Sequence, residues 1–423
     1  MGLGLIGDVA RGKMRVLILG INYAPEPVGI AIYTTGLATG LAAEGCEVEV
    51  VAAQPYYPTW RIATGFSRWR WTASHEDGVR VLRCPHYIPR NPGGARRILH
   101  HLSFALSALI PVVWRARRRP DVVFVVAPSI LAAPVGWLAA RLSGARIWLH
   151  LQDFEAEAAV STGLLRAGGV SGRLALWFER RMLAAADRVS AISPQMCARL
   201  AAKGVPAAKI HELRNWASLD HVRPLDRPSA YRAEFGVATP QVALYSGNIA
   251  NKQGVEIIVE AARALRGRND LTFVVCGEGP NLAQLKSLAA GLPNIRFHPL
   301  QPKERLGELL GLATIHLLPQ IAGAADLVLP SKLANMFASG RPVVATTVPG
   351  AGIAEEVADC GLITPPGDAA AFASAIARLA DDPTLAARLG AAGRARAEAR
   401  WDKASVIENF RRAAAALSRP RRR

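Results

Sequence analysis

The chain has 423 residues, too many for one hydrophobic core and enough for two domains of roughly 200 residues each. Hydrophobic residues make up 51% of it, which excludes wholesale disorder. The formal net charge of +18 indicates an anionic partner: a nucleic acid, a membrane surface or a phosphorylated ligand. The alternative is that arginine and alanine are simply frequent throughout the chain.

The cysteines are scattered, and no two lie within four residues of each other. They are Cys46, Cys84, Cys197, Cys276 and Cys360. This spacing excludes the common metal and redox motifs and predicts free thiols in a reducing compartment. No secretory signal precedes the first strand. The first thirteen residues are either an extension or the product of a misplaced start codon, with Met14 as the alternative to Met1.

Short apolar runs alternate with helix-like segments through the first half of the chain. The predicted strands cover residues 15–20, 47–53, 79–84, 121–127, 145–152 and 188–193. Because continuous apolar strands separated by helices are typical of a parallel sheet covered on both faces, we predict a doubly wound α/β domain.

The same pattern restarts after a segment rich in proline and turn residues, 215–232. Its strands are predicted at 241–247, 271–279, 295–300, 313–320 and 342–347. We therefore expect an α/β protein with two Rossmann-like domains facing across a cleft, where ligands of open α/β sheets bind. The predicted boundaries are 14–220, 221–400 and, for a C-terminal helix and basic tail, 401–423.

Positive charge is concentrated in residues 61–119, which hold twelve arginines and only two acidic residues. Between the arginine clusters, residues 102–114 are almost entirely apolar. This run is shorter than the roughly 20 residues of a membrane-spanning helix. Apolar residues flanked by Arg and Trp are typical of a helix at the lipid headgroups. We assign membrane or acceptor contact to Trp69, Trp71, Arg96, Arg97, Trp114 and Arg117.

Two other interpretations of this segment were weighed. It is either a core helix of the first domain followed by a solvated loop, or a nucleic-acid surface. The second is disfavoured because no nucleic-acid-binding motif is present and the arginines lie beside an apolar run.

Three loops between a predicted strand and a helix carry candidate phosphate-binding residues. They are Gly29 in the first, Gly247, Asn248 and Lys252 in the second, and Gly277 and Glu278 in the third. Glycine lets backbone N–H groups approach an anion, and a helix N-terminus favours phosphate. The alternatives are plain turns and a solvated lysine.

Polar residues also interrupt the apolar segment 324–346. They are Asp326, Ser331, Lys332 and Asn335. The sequence predicts a short helix over 331–339 that ends at Gly340, with the last three of these side chains on one side of its first turns. That side would face the ligand. His150 ends another predicted strand, where it is either a cleft residue or a structural histidine.

The chain resembles the retaining family 4 glycosyltransferases of the GT-B fold. It is similar in particular to bacterial exopolysaccharide enzymes of the colanic-acid fucosyltransferase type. The similarity rests on "ILGINYAPEPVGIAIYTTGLATGLAAEGCEVEVVAAQPYYPTW", "RCPHYIP", "LHLQDFE", "LRNWASLD", "YSGNIANKQG" and "LVLPSKLANMFASG", which together span about residues 15–365. The resemblance implies that Gly29 contacts the donor diphosphate, that Lys252 neutralises it, and that His150 lies near the donor sugar.

The chain departs from the family pattern at three positions. Asn248 stands in the region where the family usually has an arginine. The two glutamates seven residues apart in many members would fall on Leu327 and Asn335. Asp326 and Asn335 are then the expected substitutes, and Lys332 would supply the missing positive charge.

The resemblance implies sugar transfer with retention from a nucleoside-diphosphate donor to a lipid-diphosphate-linked saccharide. No cofactor or metal is expected, and neither is a nucleic-acid partner. The protein is expected in the cytoplasm, bound peripherally to the inner face of the cytoplasmic membrane. Both GDP-fucose and UDP-linked amino sugars are compatible donors. The alternatives are a non-catalytic partner in a glycan assembly complex and a nucleotide-sugar 2-epimerase.

Overall fold

The computed structural model describes residues 13–27, 29–157, 169–250, 253–321 and 331–418. These residues divide into two compact units. Unit 1 comprises the described residues up to Ile192, Met196–Leu213, and those from Ile407 onward; unit 2 comprises Ser193–Gln195 and Arg214–Val406. The predicted boundary lay at 220, whereas the chain passes to unit 2 at residue 214 and returns to unit 1 near its end.

Unit 1 is built on a sheet that has eight strands within the described residues, in the order β3-β4-β2-β1-β5-β6-β7-β8. All neighbours are parallel except β3 and β4. The strands are β1 Arg15–Gly20, β2 Glu47–Ala53, β3 Thr72–Glu76, β4 Val79–Cys84, β5 Val122–Ala127, β6 Arg146–Leu151, β7 Arg188–Ala191 and β8 Ile210–Glu212. The helices before unit 2 are α1 Ile30–Ala43, α2 Ala95–Ala116, α3 Ala133–Ser143, α4 Val170–Ala185 and α5 Pro194–Ala202, with 3₁₀ turns at Ile130–Ala132 and Ala207–Lys209.

Unit 2 has a parallel sheet of six described strands in the order β11-β10-β9-β12-β13-β14. They are β9 Gln241–Ser246, β10 Leu271–Cys276, β11 Ile295–His298, β12 Ile315–Leu318, β13 Val343–Thr346 and β14 Gly361–Thr364. Its helices are α6 Tyr231–Glu234, α7 Glu256–Ala264, α8 Leu282–Leu288, α9 Leu306–Leu312, α10 Ser331–Ala338, α11 Gly352–Val357, α12 Ala369–Asp381 and α13 Pro383–Trp401, with a 3₁₀ turn at Lys303–Arg305. The last helix, α14 Lys403–Ser418, leads back to unit 1.

The central strands are buried on both faces, as their composition predicts. Every residue of β5 and of β10 is buried. Helices pack closely on this surface: a Cβ added at Gly136 in α3 would lie 2.4 Å from Val125 Cγ2 of β5. The prediction of two doubly wound parallel-sheet domains is thereby confirmed.

The sequence analysis missed three strands, β3, β8 and β14, and each lies at an edge of its sheet. β3 reads TASHE and is exposed along almost its whole length, so it lacks an apolar pattern. β8 has only three residues, and β14 has only four. These edge strands form because the neighbouring strand offers backbone partners, which a search for apolar runs cannot detect.

Helix α2 is longer than the apolar run that suggested it, because the flanking arginines are also helical. At 22 residues it is long and apolar enough to cross a bilayer by length and composition, although 39% of its most apolar window is buried in the protein. Phe104, Ala108 and Val112 form its buried face. This burial is expected for a helix that packs on its own domain.

Helix α14 closes unit 1, where the sequence predicted only a C-terminal helix and tail. Phe410 is fully buried, with its ring stacked on Trp148 at 4.8 Å and edge-on to Phe124 at 5.0 Å. A Cβ on Gly40 of α1 would lie 2.2 Å from Ile407 Cδ1, so glycine is needed for this close packing. The final residues, 419–423, lie outside the described part of the chain.

We expect Phe410→Ala to lower the free energy of unfolding of unit 1 by about 3–5 kcal/mol, because it removes a large buried ring and leaves a cavity. Urea unfolding followed by tryptophan fluorescence measures this change. Arg412→Ala is the matched control on the same helix, since that side chain is 71% exposed. A loss for Phe410→Ala no larger than for the control would show that α14 is not part of the core.

Candidate active site

Two glycine loops meet at the carboxyl edge of the unit 2 sheet. One follows β9 and contains Gly247; the other follows β10 and contains Gly277 and Gly279. A Cβ at Gly277 would lie 2.0 Å from the carbonyl oxygen of Gly247, and one at Gly279 would lie 2.1 Å from that of Ile249. The Ile249 N–H donates to the Glu278 carbonyl at 2.8 Å. The predicted residues Gly247, Asn248, Gly277 and Glu278 are therefore brought together.

Lys332, in the first turn of α10, lies beside these loops. Its Nζ is 4.2 Å from the centroid of the Tyr245 ring and 3.7 Å from the position of a Cβ on Gly247. The Tyr245 hydroxyl donates to the Asn248 carbonyl at 2.6 Å, which fixes the ring. Burial lowers the pKa of Lys332 to about 7. No carboxylate of the described residues contributes to this shift.

The other predicted residues of this segment are only partly placed. Asn335 Oδ1 accepts the backbone N–H of Ser218 at 2.8 Å, which anchors the "NWASLD" segment to α10. The amide oxygen that would substitute for a glutamate at a ribose is thus already engaged by the protein. Asp326 and Lys252 lie outside the described residues, as does the side chain of Ser331.

His150, for which the sequence left a cleft residue and a structural histidine open, is buried at the end of β6. Its Nδ1 is 2.8 Å from Ser190 Oγ, its Nε2 is 3.1 Å from Gln152 Nε2, and its ring stacks on Phe124. Burial lowers the pKa of this imidazole to about 3, which keeps it neutral. The geometry matches the structural alternative, and a role near the donor sugar stays a prediction.

Gly29 immediately precedes α1 and has a φ of 65°, in the left-handed region. No side chain caps the helix at this point, so its first N–H groups are left for other partners. Its contact with a diphosphate stays a prediction. The sequence analysis gave no role to two carboxylates at this edge of unit 1, Glu26 and Glu155. Their signal was an acidic residue a few positions after a buried strand.

Three of the predicted membrane residues, Arg96, Arg97 and Trp114, lie on α2, which carries an exposed stripe. Its apolar members are Leu99, Leu102, Leu106, Ile110 and Trp114, and Ile110 is 74% exposed. Trp71 lies along the same helix, with its Nε1 donating to the Ser107 carbonyl at 3.1 Å. Trp69 is more exposed still, and Arg96, Arg97 and Arg117 are exposed near the two ends of the helix.

Exposed apolar residues continue onto the two helices that follow. They are Trp137 and Leu142 on α3, and Val170, Leu174 and Trp177 on α4. Arg141 lies over the Trp137 ring and Arg181 over the Trp177 ring, at 5.3 and 6.0 Å from the ring centroids. Since α3 packs on both α2 and α4, apolar side chains and arginines alternate over three neighbouring helices of unit 1.

Comparison with known proteins decides the family. Residues 28–216 match the family model described as glycosyl transferase 4-like domain, and residues 240–382 match glycosyl transferases group 1. The chain is 41% identical over 341 residues to the putative colanic acid biosynthesis glycosyl transferase WcaI of Escherichia coli K12, covering 79% of this chain and 83% of that protein. The chain belongs to the family 4 glycosyltransferases.

Solved structures show the GT-B fold of this family. Sucrose-phosphate synthase from Thermosynechococcus elongatus superposes with a TM-score of 0.71 at 21% identity, over 95% of this glycosyltransferase and 99% of that chain. Anabaena Alr3699/HepE in complex with UDP gives a TM-score of 0.68 at 17% identity, over 95% of this chain and 100% of that chain.

No group of three His, Cys, Asp or Glu residues in the described chain is placed to hold a metal ion.

We expect the stability of the wild type to rise, relative to Lys332→Met, as the pH increases from 7 towards 10. A lysine whose pKa is lowered in the folded state opposes folding while it is charged, and this cost fades above the folded pKa of about 7. Urea unfolding at several pH values gives the difference, with the exposed Lys286→Met measured alongside. A difference that is constant from pH 7 to 10 would contradict the burial of the ammonium group.

Proposed function

We propose that this glycosyltransferase moves a sugar from a nucleoside-diphosphate-sugar to a lipid-diphosphate-linked saccharide, with retained configuration, in exopolysaccharide assembly. The observation that carries the proposal is the pair of interlocked glycine loops with the Lys332 amine beside them. The naming of a relative for colanic acid biosynthesis and the UDP complex of Alr3699/HepE support it.

The described residues of unit 2 suit a departing diphosphate. During transfer the bond between the anomeric carbon and the diphosphate oxygen breaks, and negative charge builds on the diphosphate. Lys332 and the N-terminus of α10 would stabilise that charge, and such stabilisation is usually the largest contribution in these sites. Lys252, which lies outside the described residues, would add to it. A bound diphosphate also raises the pKa of Lys332, so the amine is charged when the donor is present.

In this proposal the acceptor hydroxyl attacks from the face that the diphosphate leaves. The new carbon–oxygen bond forms as the old one breaks, and the hydroxyl proton passes to an oxygen of the departing diphosphate. No protein base, metal or cofactor is then required. The donor is a hexose or deoxyhexose on UDP or GDP.

We further propose that the stripe on α2 lies against an anionic bilayer at the inner face of the cytoplasmic membrane. Its leucines and Ile110 would enter the headgroup boundary, with Trp114 and the flanking arginines at the interface. A lipid-linked acceptor is confined to such a surface. Membrane contact by unit 1 would therefore deliver the acceptor to the enzyme.

A non-catalytic partner of a glycan assembly complex is the second candidate. It is favoured by one observation, the engagement of Asn335 with Ser218 at the position of a family glutamate. Nucleotide release separates the candidates. An enzyme of the proposed type releases UDP or GDP when an acceptor is added, a non-catalytic partner releases neither, and an epimerase gives no acceptor-dependent release.

We expect release of UDP or GDP from one member of a panel of UDP-glucose, UDP-N-acetylglucosamine, GDP-mannose and GDP-fucose, on addition of undecaprenyl-diphosphate-linked saccharides. Thermal shift identifies the donor first. Lys252→Ala should lower turnover by about 100-fold or more without changing the melting temperature, because the diphosphate loses a charge partner. Lys286→Ala is the control. Near-normal turnover of Lys252→Ala would refute the role of that lysine.

The pair Leu106→Glu and Ile110→Glu should weaken binding to phosphatidylglycerol-containing vesicles by about tenfold or more, because two carboxylates enter the headgroup boundary. Vesicle co-sedimentation measures binding. The control is the pair Leu288→Glu and Leu300→Glu, which changes two exposed leucines of unit 2 in the same way. Equal loss in both double variants would attribute the effect to net charge and refute a specific membrane face.

A further inference from the structure

A buried carboxylate joins the loop after β1 to the loop after β2. Glu26, 6% exposed, follows β1. Its Oε1 accepts the backbone N–H groups of Tyr56 and Tyr57, both at 2.9 Å, and its Oε2 accepts Asn22 Nδ2 at 2.8 Å. Three donors thus converge on one side chain and occupy most of the acceptor sites of its two oxygens.

A second carboxyl group also joins the loops of two neighbouring strands, β5 and β6. Glu155 follows β6, and its Oε1 accepts the N–H groups of Ser129 and Ile130 in the loop after β5, the latter at 2.8 Å. Ser129 has a φ of 100°, in the left-handed region that costs free energy for a residue other than glycine. The carboxylate holds this strained backbone in place.

The two contacts have one pattern. Each glutamate belongs to the loop of one strand and binds two successive N–H groups in the loop of a neighbouring strand, β1 to β2 and β6 to β5. Successive N–H groups form a concave site for an anion, and bonds to a carboxylate are stronger than neutral ones. The four central loops of unit 1 are therefore held by two buried carboxyl groups at the edge where α/β sheets bind ligands. Burial raises the pKa of both groups, that of Glu155 to about 7.

The Glu26 contact also holds the backbone that carries one exposed aromatic ring, that of Tyr57. Tyr57 is 40% exposed, and its ring lies 3.9 Å from the position of a Cβ on Gly29. Tyr56, its neighbour, packs edge-on against Trp60 at 5.3 Å and against His100 at 4.6 Å. An accessible tyrosine ring backed by packed aromatic groups offers an apolar face and a hydroxyl, which suits the carbon–hydrogen face of a sugar ring.

We propose that Glu26 and Glu155 are positioning residues that hold the central loops of unit 1 in the conformation that binds the acceptor sugar, with Tyr57 as its contact. This inference rests on the proposed function. The glutamates act through backbone they hold, without touching the substrate. Their removal should therefore change acceptor binding more than the chemical step.

Amide hydrogen exchange of the free full-length protein tests the contacts of Glu26 and Glu155 with the loop N–H groups, without any substrate. Glu26→Gln retains one acceptor oxygen, but its NH₂ group replaces the other. That NH₂ group then faces either the NH₂ group of Asn22 or the N–H groups of Tyr56 and Tyr57, and one set of hydrogen bonds is lost. We expect exchange at Tyr56 and Tyr57 to rise by about tenfold, with Ser129 and Ile130 unchanged. Glu155→Ala should give the reverse pattern.

Glu49→Gln is the matched control, because Glu49 is a largely buried glutamate of the same sheet that pairs with Arg115 and Arg118 and not with loop N–H groups. It should leave exchange at all four amides unchanged. Unchanged exchange in Glu26→Gln and Glu155→Ala would overturn the proposal. A uniform rise throughout unit 1 would also do so, because it would show a purely structural role.

Steady-state kinetics test the predicted effect on acceptor binding. They use the donor and the undecaprenyl-diphosphate-linked saccharide with which the wild type is active. Glu26→Gln and Tyr57→Ala should each raise KM for the acceptor by about tenfold, with KM for the donor unchanged and kcat within about threefold. Tyr57→Phe should retain most of the affinity. A fall in kcat at constant acceptor KM would overturn the positioning role. Absence of turnover in the wild type would instead refute the proposed function. Hydrogen exchange would still test whether the two glutamates hold the loops.

Discussion

Backbone groups at the carboxyl ends of two deeply buried parallel sheets need partners, and the two units satisfy this constraint by different means. In unit 2 the loops after β9 and β10 bond to each other through their backbones, which is possible because Gly277 and Gly279 carry no side chain. In unit 1 the loops are joined through the carboxylates of Glu26 and Glu155. Every residue of β5 and of β10 is buried, so the polar groups that are accessible at these edges come from the loops.

This difference bears on which ligand each edge accepts. In the described part of unit 2 the two glycine loops are held through their own backbones, with the amine of Lys332 beside them, and under the proposed function this edge would receive the donor diphosphate. In unit 1 the N–H pairs are already occupied by glutamates. Such an edge is better suited to a ligand that binds through hydroxyls and apolar faces, such as a neutral sugar.

The sequence predicted the central strands closely, because strands buried on both faces are mostly apolar. β1, β2 and β4 have the predicted bounds. The edge strands and the return of α14 could not be predicted in this way. β3 is polar, and the place of Phe410 depends on Trp148, more than 250 residues earlier, so no local pattern encodes it.

The same reasoning applies to the site. The glycine loops and Lys332 were predictable, since their residue types are unusual beside apolar strands. Glu26 and Glu155 were not, because the N–H groups that they bind lie 25 to 31 positions away in the chain. His150 and Asn335 show the converse. Each has the residue type and strand or helix position of a ligand contact, but its polar atoms bond within the protein.

The positive charge of residues 61–119 is also smaller in the structure than the sequence suggests. Four of its twelve arginines are paired internally: Arg83 with Glu76, and Arg80, Arg115 and Arg118 with Glu49. Glu49 lies on β2, so its pairs with Arg115 and Arg118 tie the C-terminal end of α2 to the sheet. Internally paired arginines contribute little to attraction by anionic lipid, because their fields are largely compensated. The apolar stripe, together with the arginines left exposed, is therefore the part of the segment that would contact a bilayer under the proposed function.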